Sequence, residues 1–374
     1  MNRLPILSIA PVSLQGICVV IPAFNEQRLV GQCVESVLAA GVGANQVFVV
    51  NDCSSDRTRD VVATFAGVQI VDNPTRLGKV RGLERAIHQH RLAERFEFMA
   101  VLDADSHVDA GYFTAVVNAF RADAEAVLVC GSPRSERANW LTAFRALDYA
   151  MGDWVYRRGQ QALGVITVAP GCASTYRTSI VPLLDWNGGT LVEDMDLTIQ
   201  VHRKRLGTVR YVPDALSYTQ DPRRLGDYIG QITRWYSGTW QVMRLRRLPF
   251  GRQRIDLEIA VLAGEGLVYS AFTLLLPLIA LVSPGVVWRW LVLDQLITLA
   301  AAVVCACRLR RLDVLLWSPT FIALRLINCV LWLRTFWTEI VRRNTLTMWF
   351  TPERYQQGLQ RQARMRRPQE VFNA

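Results

Sequence analysis

Short apolar runs alternate with helical patterns in the N-terminal part of the chain, and this alternation constrains the fold more than any other feature. The runs occupy residues 16–22, 46–50, 68–71 and 98–102. Between them, apolar residues recur three and four positions apart, which is the spacing of an amphipathic helix. Each run is apolar almost throughout, as is typical of a strand buried on both faces. The alternation therefore predicts an α/β fold with a doubly wound, mostly parallel sheet and flanking helices.

Polar residues follow these runs at the points where the strands should end. Glu26 follows the end of the first run, Asp52 follows the second, and Asp103 and Asp105 follow the fourth. Open α/β sheets bind ligands at the carboxyl ends of their strands, so we expect these side chains to share one rim. In extended backbone, positions 103 and 105 point the same way, and a cation between the two carboxylates would relieve their repulsion. Carboxylate oxygens suit Mg²⁺ or Mn²⁺, which would in turn hold a diphosphate.

Further elements are expected beyond these carboxylates. The pattern predicts a strand at residues 126–130, a long helix over 139–158 and a strand at 165–169. Small residues follow this last run at Gly171 and Cys172. Without bulky side chains there, an acceptor molecule can come close to the backbone.

The composition points to a membrane. The chain joins a net charge of +10 to a hydrophobic content of 51%. Such a combination is typical of a membrane protein whose basic groups face anionic headgroups or a nucleotide. Nucleic-acid binding is the rival interpretation of the positive charge. Because the arginines cluster beside apolar segments in the second half of the chain, we favour membrane lipid as the partner and expect no nucleic acid.

Residues 225–245 form a strongly amphipathic stretch. Aromatic and aliphatic side chains recur there at helical spacing, and arginines flank the stretch at positions 223, 224, 244, 246 and 247. This pattern is typical of a helix that lies in the membrane interface, with aromatic rings at headgroup depth and arginines reaching phosphate. Gln231, Arg234 and Trp235 stand at positions i, i+3 and i+4, so they share one side of this helix.

Long apolar segments follow the amphipathic stretch. Residues 259–282 and 286–307 are each long enough to cross a bilayer. The segment 314–341 contains Arg325 and Arg334, which lie about 180° apart on a helical wheel, so one polar stripe does not hide both. A third span would also place the following arginines on the outer side, against the positive-inside bias. We therefore expect two spans and a third segment that lies in the membrane or re-enters it.

A series of motifs connects these elements. Ile-Pro-Ala-Phe-Asn-Glu occupies 21–26, Asn-Asp-x-Ser-Ser-Asp 51–56 and Asp-Ala-Asp 103–105, and Val-Glu-Asp at 192–194 precedes Gln-Ile-Thr-Arg-Trp at 231–235. With these motifs in this order over residues 16–247, the chain resembles the family 2 inverting glycosyltransferases of the GT-A fold. The branch that it resembles is that of the membrane synthases of chitin, hyaluronan, cellulose and poly-N-acetylglucosamine. The resemblance implies a GT-A (Rossmann-like) domain followed by an interfacial helix and transmembrane helices.

The resemblance also implies roles for individual residues. Asp52 would recognise the nucleotide base, Asp105 would ligate the metal together with Asp103, and Asp194 would deprotonate the acceptor hydroxyl. A structural role at the start of a helix is the alternative for Asp194, and a solvated side chain is the alternative for Lys79. The nucleotide-binding set is Pro22, Glu26, Asp52, Lys79, Asp103, Gln231 and Arg234, and the acceptor-binding set is Gly171, Cys172 and Trp235. Asn51 stands where the family often has a second aspartate, which is a mild departure.

The function implied is transfer of a sugar from a UDP-sugar to a hydroxyl acceptor with Mg²⁺ or Mn²⁺, in a processive polysaccharide synthase. One alternative is single addition to a lipid such as ceramide, diacylglycerol or a polyprenyl phosphate. Another is an inactive subunit that binds nucleotide sugar, although the acidic residues of the motifs are intact. Two or three membrane helices make a narrow route for polymer export, so a homo-oligomer is a further possibility.

These inferences divide the chain into consecutive regions. Residues 1–222 would form a catalytic domain on the cytoplasmic side of the cell (inner) membrane. Residues 223–256 would contain the interfacial helix and a linker, and 257–341 the multi-pass membrane region. Residues 342–374 would form a basic cytoplasmic tail.

Overall fold

The computed structural model describes residues 13–186, 189–346 and 353–355. The strands are β1 (Ile17–Ala23), β2 (Val47–Asn51), β3 (Gln69–Asp72), β4 (Phe98–Val101), β5 (Ser106–Val108), β6 (Ala126–Ser135), β7 (Ser174–Arg177) and β8 (Thr208–Thr219). The helices are α1 (Val30–Ala39), α2 (Thr58–Ala63), α3 (Lys79–Gln89), α4 (Leu92–Arg95), α5 (Tyr112–Ala122), α6 (Trp140–Met151), α7 (Arg158–Leu163), α8 (Glu193–Arg203), α9 (Leu225–Leu245), α10 (Arg254–Val282), α11 (Pro284–Leu309), α12 (Leu312–Trp317) and α13 (Phe321–Phe336). Short 3₁₀ turns lie at Ala44–Gln46, Thr178–Leu183 and Ser318–Thr320, and π-helical turns at Gly152–Arg157 and Trp337–Val341.

The strands form one eight-stranded sheet in the order β3-β2-β1-β4-β7-β6-β8-β5. β1 pairs in parallel with both β2 and β4, and β2 pairs in parallel with β3. Alternate residues of β1 point to opposite faces of the sheet. Val19 packs in one core with Val34 of α1, and Val20 packs in the other core with Leu83 of α3. Burial on both faces explains why these strands are apolar throughout, and the expected mixed, mostly parallel architecture is confirmed.

Beyond β4 the sheet changes direction. β7 runs antiparallel between β4 and β6, with Val101 of β4 opposite Ser174 of β7. An antiparallel neighbour begins where β4 ends, so the loop before β7 lies at the rim where residues after β4 also lie. A Cβ atom placed on Gly171 of this loop would lie 3.6 Å from Oδ2 of Asp103. The change of direction thus brings the loop at Gly171 next to Asp103.

The strand expected at residues 165–169 does not form, and this prediction is wrong. The place beside β4 is taken by β7, and the stretch lies outside the sheet. Its backbone N–H groups find individual acceptors instead. The N–H of Val165 donates to the carbonyl of Gln160, and that of Ala169 donates to the hydroxyl of Thr198. A short apolar run marks burial, whereas strand pairing depends on the topology around it.

A long continuous helix links the sheet to the C-terminal helices. α6, the π-helical turn after it and α7 follow one another without a break, so the expected long helix continues to Leu163. Asn139 caps its N-terminus with its side-chain oxygen. Phe144 of α6 packs edge-on against Tyr228 of α9 and Phe321 of α13. These aromatic contacts join α6 to α9 and α13.

Three helical stretches of the described residues are long and apolar enough to cross a membrane: Arg254–Val282, Pro284–Leu309 and Leu312–Val341. Within the third, Nη1 and Nη2 of Arg325 lie 2.6 and 2.5 Å from the two carboxylate oxygens of Asp294 on α11. A polar stripe is not needed to hide Arg325, since α11 supplies its partner. By its length and composition the third stretch can cross a membrane. That it lies in the membrane or re-enters it stays a prediction.

Candidate active site

A cavity of about 570 Å³ lies at the rim formed by the ends of β1, β2 and β4 and continues along α9. Every candidate site residue predicted from the sequence lines it, although these residues are far apart in the chain. These residues are Pro22, Glu26, Asp52, Lys79, Asp103, Asp105, Gly171, Cys172, Asp194, Gln231, Arg234 and Trp235. The structure therefore brings the whole candidate set to one place.

Asp52 anchors the loop that leads into α3. Its Oδ1 accepts hydrogen bonds of 2.8 Å from the side chain of Asn73 and the backbone of Leu77, and its Oδ2 accepts one of 2.8 Å from the backbone of Gly78. Gly78 has a φ of +85°, a conformation that favours glycine. A carboxylate offers about four acceptor positions, so the loop leaves one of them for a ligand. Asp52 therefore shapes the cavity wall as well as facing it.

Lys79 bridges two acidic side chains. Its Nζ lies 2.6 Å from Oδ1 of Asp103 and 2.6 Å from Oε1 of Glu193. Burial alone would lower the pKa of Lys79, but the two carboxylates raise it well above its ordinary value. Burial likewise acts to raise the pKa of Asp103, yet Lys79 and Arg234 hold it below the ordinary value. Lys79 is thus a fixed cation inside the cavity, and its side chain is only 16% exposed.

Glu193 was not among the sequence-predicted site residues. It lines the cavity beside Asp194, and its pairing with Lys79 makes it part of the same charged cluster. The available signal was its position inside the Val-Glu-Asp motif, directly before the candidate base. A pairing partner on α3 was not visible in the sequence, because it depends on how α3 and α8 meet at the rim.

Asp105 and Glu26 share a second cation, which comes from the end of the chain. Nη1 of Arg354 lies 2.6 Å from Oδ2 of Asp105, and its Nη2 lies 2.6 Å from Oε1 of Glu26. Burial raises the pKa of Glu26 to about 7 against the opposing effect of Arg354. Sequence reasoning missed Arg354, since it stands in a basic tail with no motif to single it out.

The carboxylates at this rim fit a divalent cation. Among the described residues, no group of three or more His, Cys, Asp and Glu side chains is arranged to hold a metal by itself. Mg²⁺, however, is commonly bound by one or two carboxylates together with the phosphates of a substrate. Asp103 and Asp105 each lie 2.6 Å from a cationic nitrogen, so both carboxylates already face positive charge at this rim. The donor set therefore suits Mg²⁺ or Mn²⁺ bound together with a diphosphate.

Asp194 lies in the first turn of α8, whose N-cap residue is Val192. Its Oδ2 accepts a hydrogen bond of 3.1 Å from the backbone of Gly171, and its Oδ1 accepts one of 2.8 Å from the backbone of Met195. Burial and the neighbouring charge of Glu193 raise the pKa of Asp194 to about 6. A carboxylate with a pKa in this range is well matched to proton abstraction near neutral pH.

α9 presents its motif residues to the same cavity. Nη1 of Arg234 donates a hydrogen bond of 3.1 Å to the carbonyl of Leu191, just before α8. The guanidinium carbon of Arg145 lies 4.5 Å from the ring centroid of Trp235. In the described part of the chain, the buried Oε1 of Gln231 has no hydrogen-bond partner. Since a buried acceptor without a partner is costly, Gln231 has hydrogen-bonding capacity to offer a ligand.

Comparison with known proteins identifies the class. A family model described as "Glycosyltransferase like family 2" matches residues 15–238, which is more than half of the chain. The protein therefore belongs to this family of glycosyltransferases, and the resemblance seen in its motifs is confirmed.

Individual relatives share limited identity with the chain. It is 24% identical over 247 residues to a poly-beta-1,6-N-acetyl-D-glucosamine synthase of Staphylococcus epidermidis, which covers 65% of this chain and 59% of the relative. It is 24% identical over 275 residues to the synthase of the same name from Staphylococcus aureus (strain COL), covering 70% of this chain and 65% of the relative. The chain thus spans roughly three fifths of the length of these curated relatives.

A solved structure supports the fold. A mannosyltransferase from Pyrobaculum calidifontis, in complex with GDP-Man and Mn²⁺, superposes with a TM-score of 0.60 at 16% identity. The superposition covers 87% of this chain and 88% of that one. The expected GT-A-like architecture, a mixed α/β sheet with flanking helices, is confirmed by this similarity.

Proposed function

We propose that the protein is a membrane-bound inverting glycosyltransferase that moves a sugar from a UDP-sugar to a hydroxyl acceptor, as a polysaccharide synthase. The observation that carries the proposal is the position of Asp194. A carboxylate whose pKa is raised to about 6 lies in the same cavity as the cluster of Lys79, Asp103 and Glu193. Inverting transfer needs a base for the acceptor and positive charge for the leaving group, and both lie at this rim.

The donor would bind across the rim between β2 and α9. Asp52 and its loop would hold the nucleotide base through the acceptor position that the loop leaves free. Asp105 and Asp103 would hold Mg²⁺ or Mn²⁺, which supplies positive charge to the diphosphate when bound. Lys79 and Arg234, both lining the cavity, add fixed positive charge from the protein. Pro22 and Glu26 would complete the wall on the side of β1.

The chemical step would be a single displacement. Asp194 takes the proton of the acceptor hydroxyl, and the oxygen attacks the anomeric carbon from the face opposite the diphosphate. The bond between that carbon and the diphosphate oxygen breaks, so the configuration is inverted and UDP leaves. The Gly171 N–H holds Asp194 by a hydrogen bond of 3.1 Å, which fixes the direction in which the base points.

The acceptor would enter from the side of the membrane helices. Beyond Gly171, Cys172 and Trp235 the cavity is lined by Tyr236 of α9 and Trp332 of α13. α13 belongs to one of the stretches that can cross a membrane. A cavity that runs from acidic rim to membrane helix suits an acceptor held near the bilayer, with the catalytic part on the cytoplasmic face.

Two acceptor classes fit this arrangement. The names of the staphylococcal relatives support a growing polysaccharide, and we take it as the leading assignment. A lipid-linked acceptor is the second candidate, and Trp332 in the cavity wall favours it, since this residue lies on a helix able to face lipid.

A donor screen tests the proposal. The full chain in detergent or in native membranes is incubated with Mn²⁺ and individual labelled UDP-sugars, and products are analysed by mass. A ladder of products supports a polysaccharide synthase, and one organic-soluble species identifies a lipid acceptor. Nucleotide-sugar binding without transfer would contradict an enzymatic role. The anomeric configuration of the product, read by NMR, tests inversion.

A further inference from the structure

One side of α9 packs against the start of α8, the helix that carries Asp194. A Cβ atom on the buried Gly238 of α9 would lie 2.7 Å from both Cγ1 and Cγ2 of Val192. Val192 is the N-cap residue of α8, two positions before Asp194. Non-bonded carbon atoms pack best about 3.5–4.0 Å apart, so a side chain at position 238 would force Val192 or α9 to move.

Polar contacts from α9 hold the residue before Val192. Oε1 of Gln241 accepts a hydrogen bond of 3.1 Å from the backbone N–H of Leu191, and Nη1 of Arg234 donates one of 3.1 Å to the carbonyl of the same residue. Positions 234, 238 and 241 follow the i, i+4, i+7 spacing, so they share one side of α9. This side therefore fixes the backbone from which α8 starts.

An ion pair holds α8 from another direction. Asp196 is 2% exposed, and its Oδ1 and Oδ2 accept hydrogen bonds of 2.6 and 2.7 Å from Nε and Nη2 of Arg246, the C-cap residue of α9. Residues two positions apart project about 200° apart around a helix axis, so Asp196 lies nearly opposite Asp194. A bidentate pair fixes orientation as well as distance, and it therefore resists rotation of α8 about its axis.

The position of the first turn of α8 decides whether the base can act. A general base must come within about 2.6–3.2 Å of the group whose proton it takes, and a misplacement of about 1 Å can cost about 10²-fold in rate. Asp194 lies in this turn, so a shift or rotation of α8 moves its carboxylate. α9 also presents Gln231, Arg234 and Trp235 to the cavity. The same helix thus carries three cavity-lining residues and holds the helix of the base.

We propose that Gly238 and Arg246 are positioning residues for sugar transfer, which act through Asp194. Gly238 sets the distance between α9 and the first turn of α8, and Arg246 sets the rotation of α8 through Asp196. The inference rests on the role of Asp194 in the proposed function. It goes beyond that role, because both residues act from outside the cavity lining.

A methyl group added on α9 tests the first contact. The full chain in detergent is assayed with Mn²⁺ and the labelled UDP-sugar that gives product in the donor screen. Gly238→Ala should lower turnover about 10- to 100-fold, while UDP binding measured by calorimetry stays as in the wild type. Gly226→Ala is the matched control on the same helix and should match the wild type. Within the described part of the chain, no atom beyond its own helix backbone and chain neighbours lies within 4 Å of its added Cβ.

A second substitution should rescue the first. Val192→Ala deletes both Cγ atoms that obstruct the Cβ at position 238. Gly238→Ala/Val192→Ala should therefore regain turnover to within about threefold of Val192→Ala alone. Lack of any rescue would contradict a steric origin of the loss.

Removal of the ion pair tests the second contact independently. Asp196→Asn/Arg246→Gln removes both charges together, so no buried charge is left without its partner. Turnover should fall about tenfold or more with UDP binding retained, in protein whose folding is verified by thermal unfolding.

Loss of the base separates positioning from a general structural defect. In an Asp194→Asn background, Gly238→Ala should cause no further loss of the residual turnover, because it acts through the missing carboxylate. A further loss as large as in the wild-type background would overturn the inference, as would wild-type turnover in Gly238→Ala or in the ion-pair variant. If Asp194→Asn itself turns over like the wild type, the proposed base fails and the inference falls with it, while the donor screen judges the glycosyltransferase proposal separately.

Discussion

The carboxylate of Asp194 is held by the backbone of Gly171, whose N–H donates to Oδ2 at 3.1 Å. This contact ties the first turn of α8 to the loop before β7, so the candidate base is aimed by a main-chain group and not by a mobile side chain. Substitution of Asp194 and the pH dependence of activity test its role directly.

Asp194→Asn removes the base while keeping the size of the side chain. Loss of general base catalysis should lower turnover by about 10²–10⁴, while UDP binding persists, because the donor side of the cavity is untouched. Steady-state kinetics and UDP calorimetry measure the two effects. Asp60→Asn, at a surface carboxylate that is 67% exposed, serves as the control. Turnover close to that of the wild type would remove Asp194 from this role.

The pH profile should report the same group. Asp194 has its pKa raised to about 6 and must be ionised to accept a proton, so activity is lost as the pH falls through this value. kcat/KM should drop about tenfold per pH unit below about 6 and level off above it. A stopped assay across this range, on protein whose folding is verified at each pH, measures the curve. A profile that is flat from pH 5 to 7 would be inconsistent with this assignment.

Asp105 should govern cation-dependent nucleotide binding. Asp105→Asn keeps the shape of the side chain but removes the charge that would hold Mg²⁺ or Mn²⁺. We expect UDP to bind the wild type more tightly with Mn²⁺ than with EDTA, and this difference to vanish in the variant. Isothermal titration calorimetry compares the conditions. A metal effect that survives the substitution would move the cation away from Asp105.

Gly171 should not tolerate a side chain, because Lys79 lies directly beside it. A Cβ atom at this position would lie 2.8 Å from Nζ of Lys79, so the lysine must move away from Asp103 and Glu193. Gly171→Ala should fold normally, because the obstructing atom ends a flexible side chain, but lose about 10- to 100-fold in kcat/KM for the donor. Gly159→Ala is the matched control, since apart from its own helix backbone and chain neighbours none of the described residues has an atom within 4 Å of the added Cβ.

Trp235 should matter for the acceptor more than for the donor. The Trp235 side chain lines the cavity, and the guanidinium carbon of Arg145 lies 4.5 Å from the centroid of its ring. Trp235→Ala should lower transfer to the acceptor by more than it lowers hydrolysis of the UDP-sugar, and Trp235→Phe should retain much of the transfer, as expected for an aromatic stacking surface. Equal losses in both reactions would argue against acceptor stacking.

Much of the fold and of the cavity lining was predictable because the signals are local. An apolar run followed at once by acidic residues, as at Asp103 and Asp105, locates a strand end at the rim of a parallel sheet. The helical spacing of Gln231, Arg234 and Trp235 places them on one side of a helix by geometry alone. In both cases residues close together in the sequence are sufficient for the prediction.

The missed features depend on contacts between distant segments. Residues 165–169 have the composition of a strand, but β7 takes the place beside β4 in the sheet. The partner of Glu26 is Arg354, which is separated from it by 328 positions. By itself Arg325 is unfavourable in a membrane helix, but Asp294 of α11 pairs with it in the folded chain. No periodicity or motif encodes such pairings, since each partner is chosen by the assembled fold.

The ion pair between Asp294 and Arg325 bears on how the proposed membrane helices would insert. Either residue alone costs about 2.5–3.5 kcal/mol at the centre of an inserting helix. Together they neutralise each other across α11 and α13 at 2.5 Å. In the proposed membrane-spanning arrangement these two helices gain from inserting as a pair, so insertion of the C-terminal half is expected to be cooperative, with neither helix partitioning into lipid on its own.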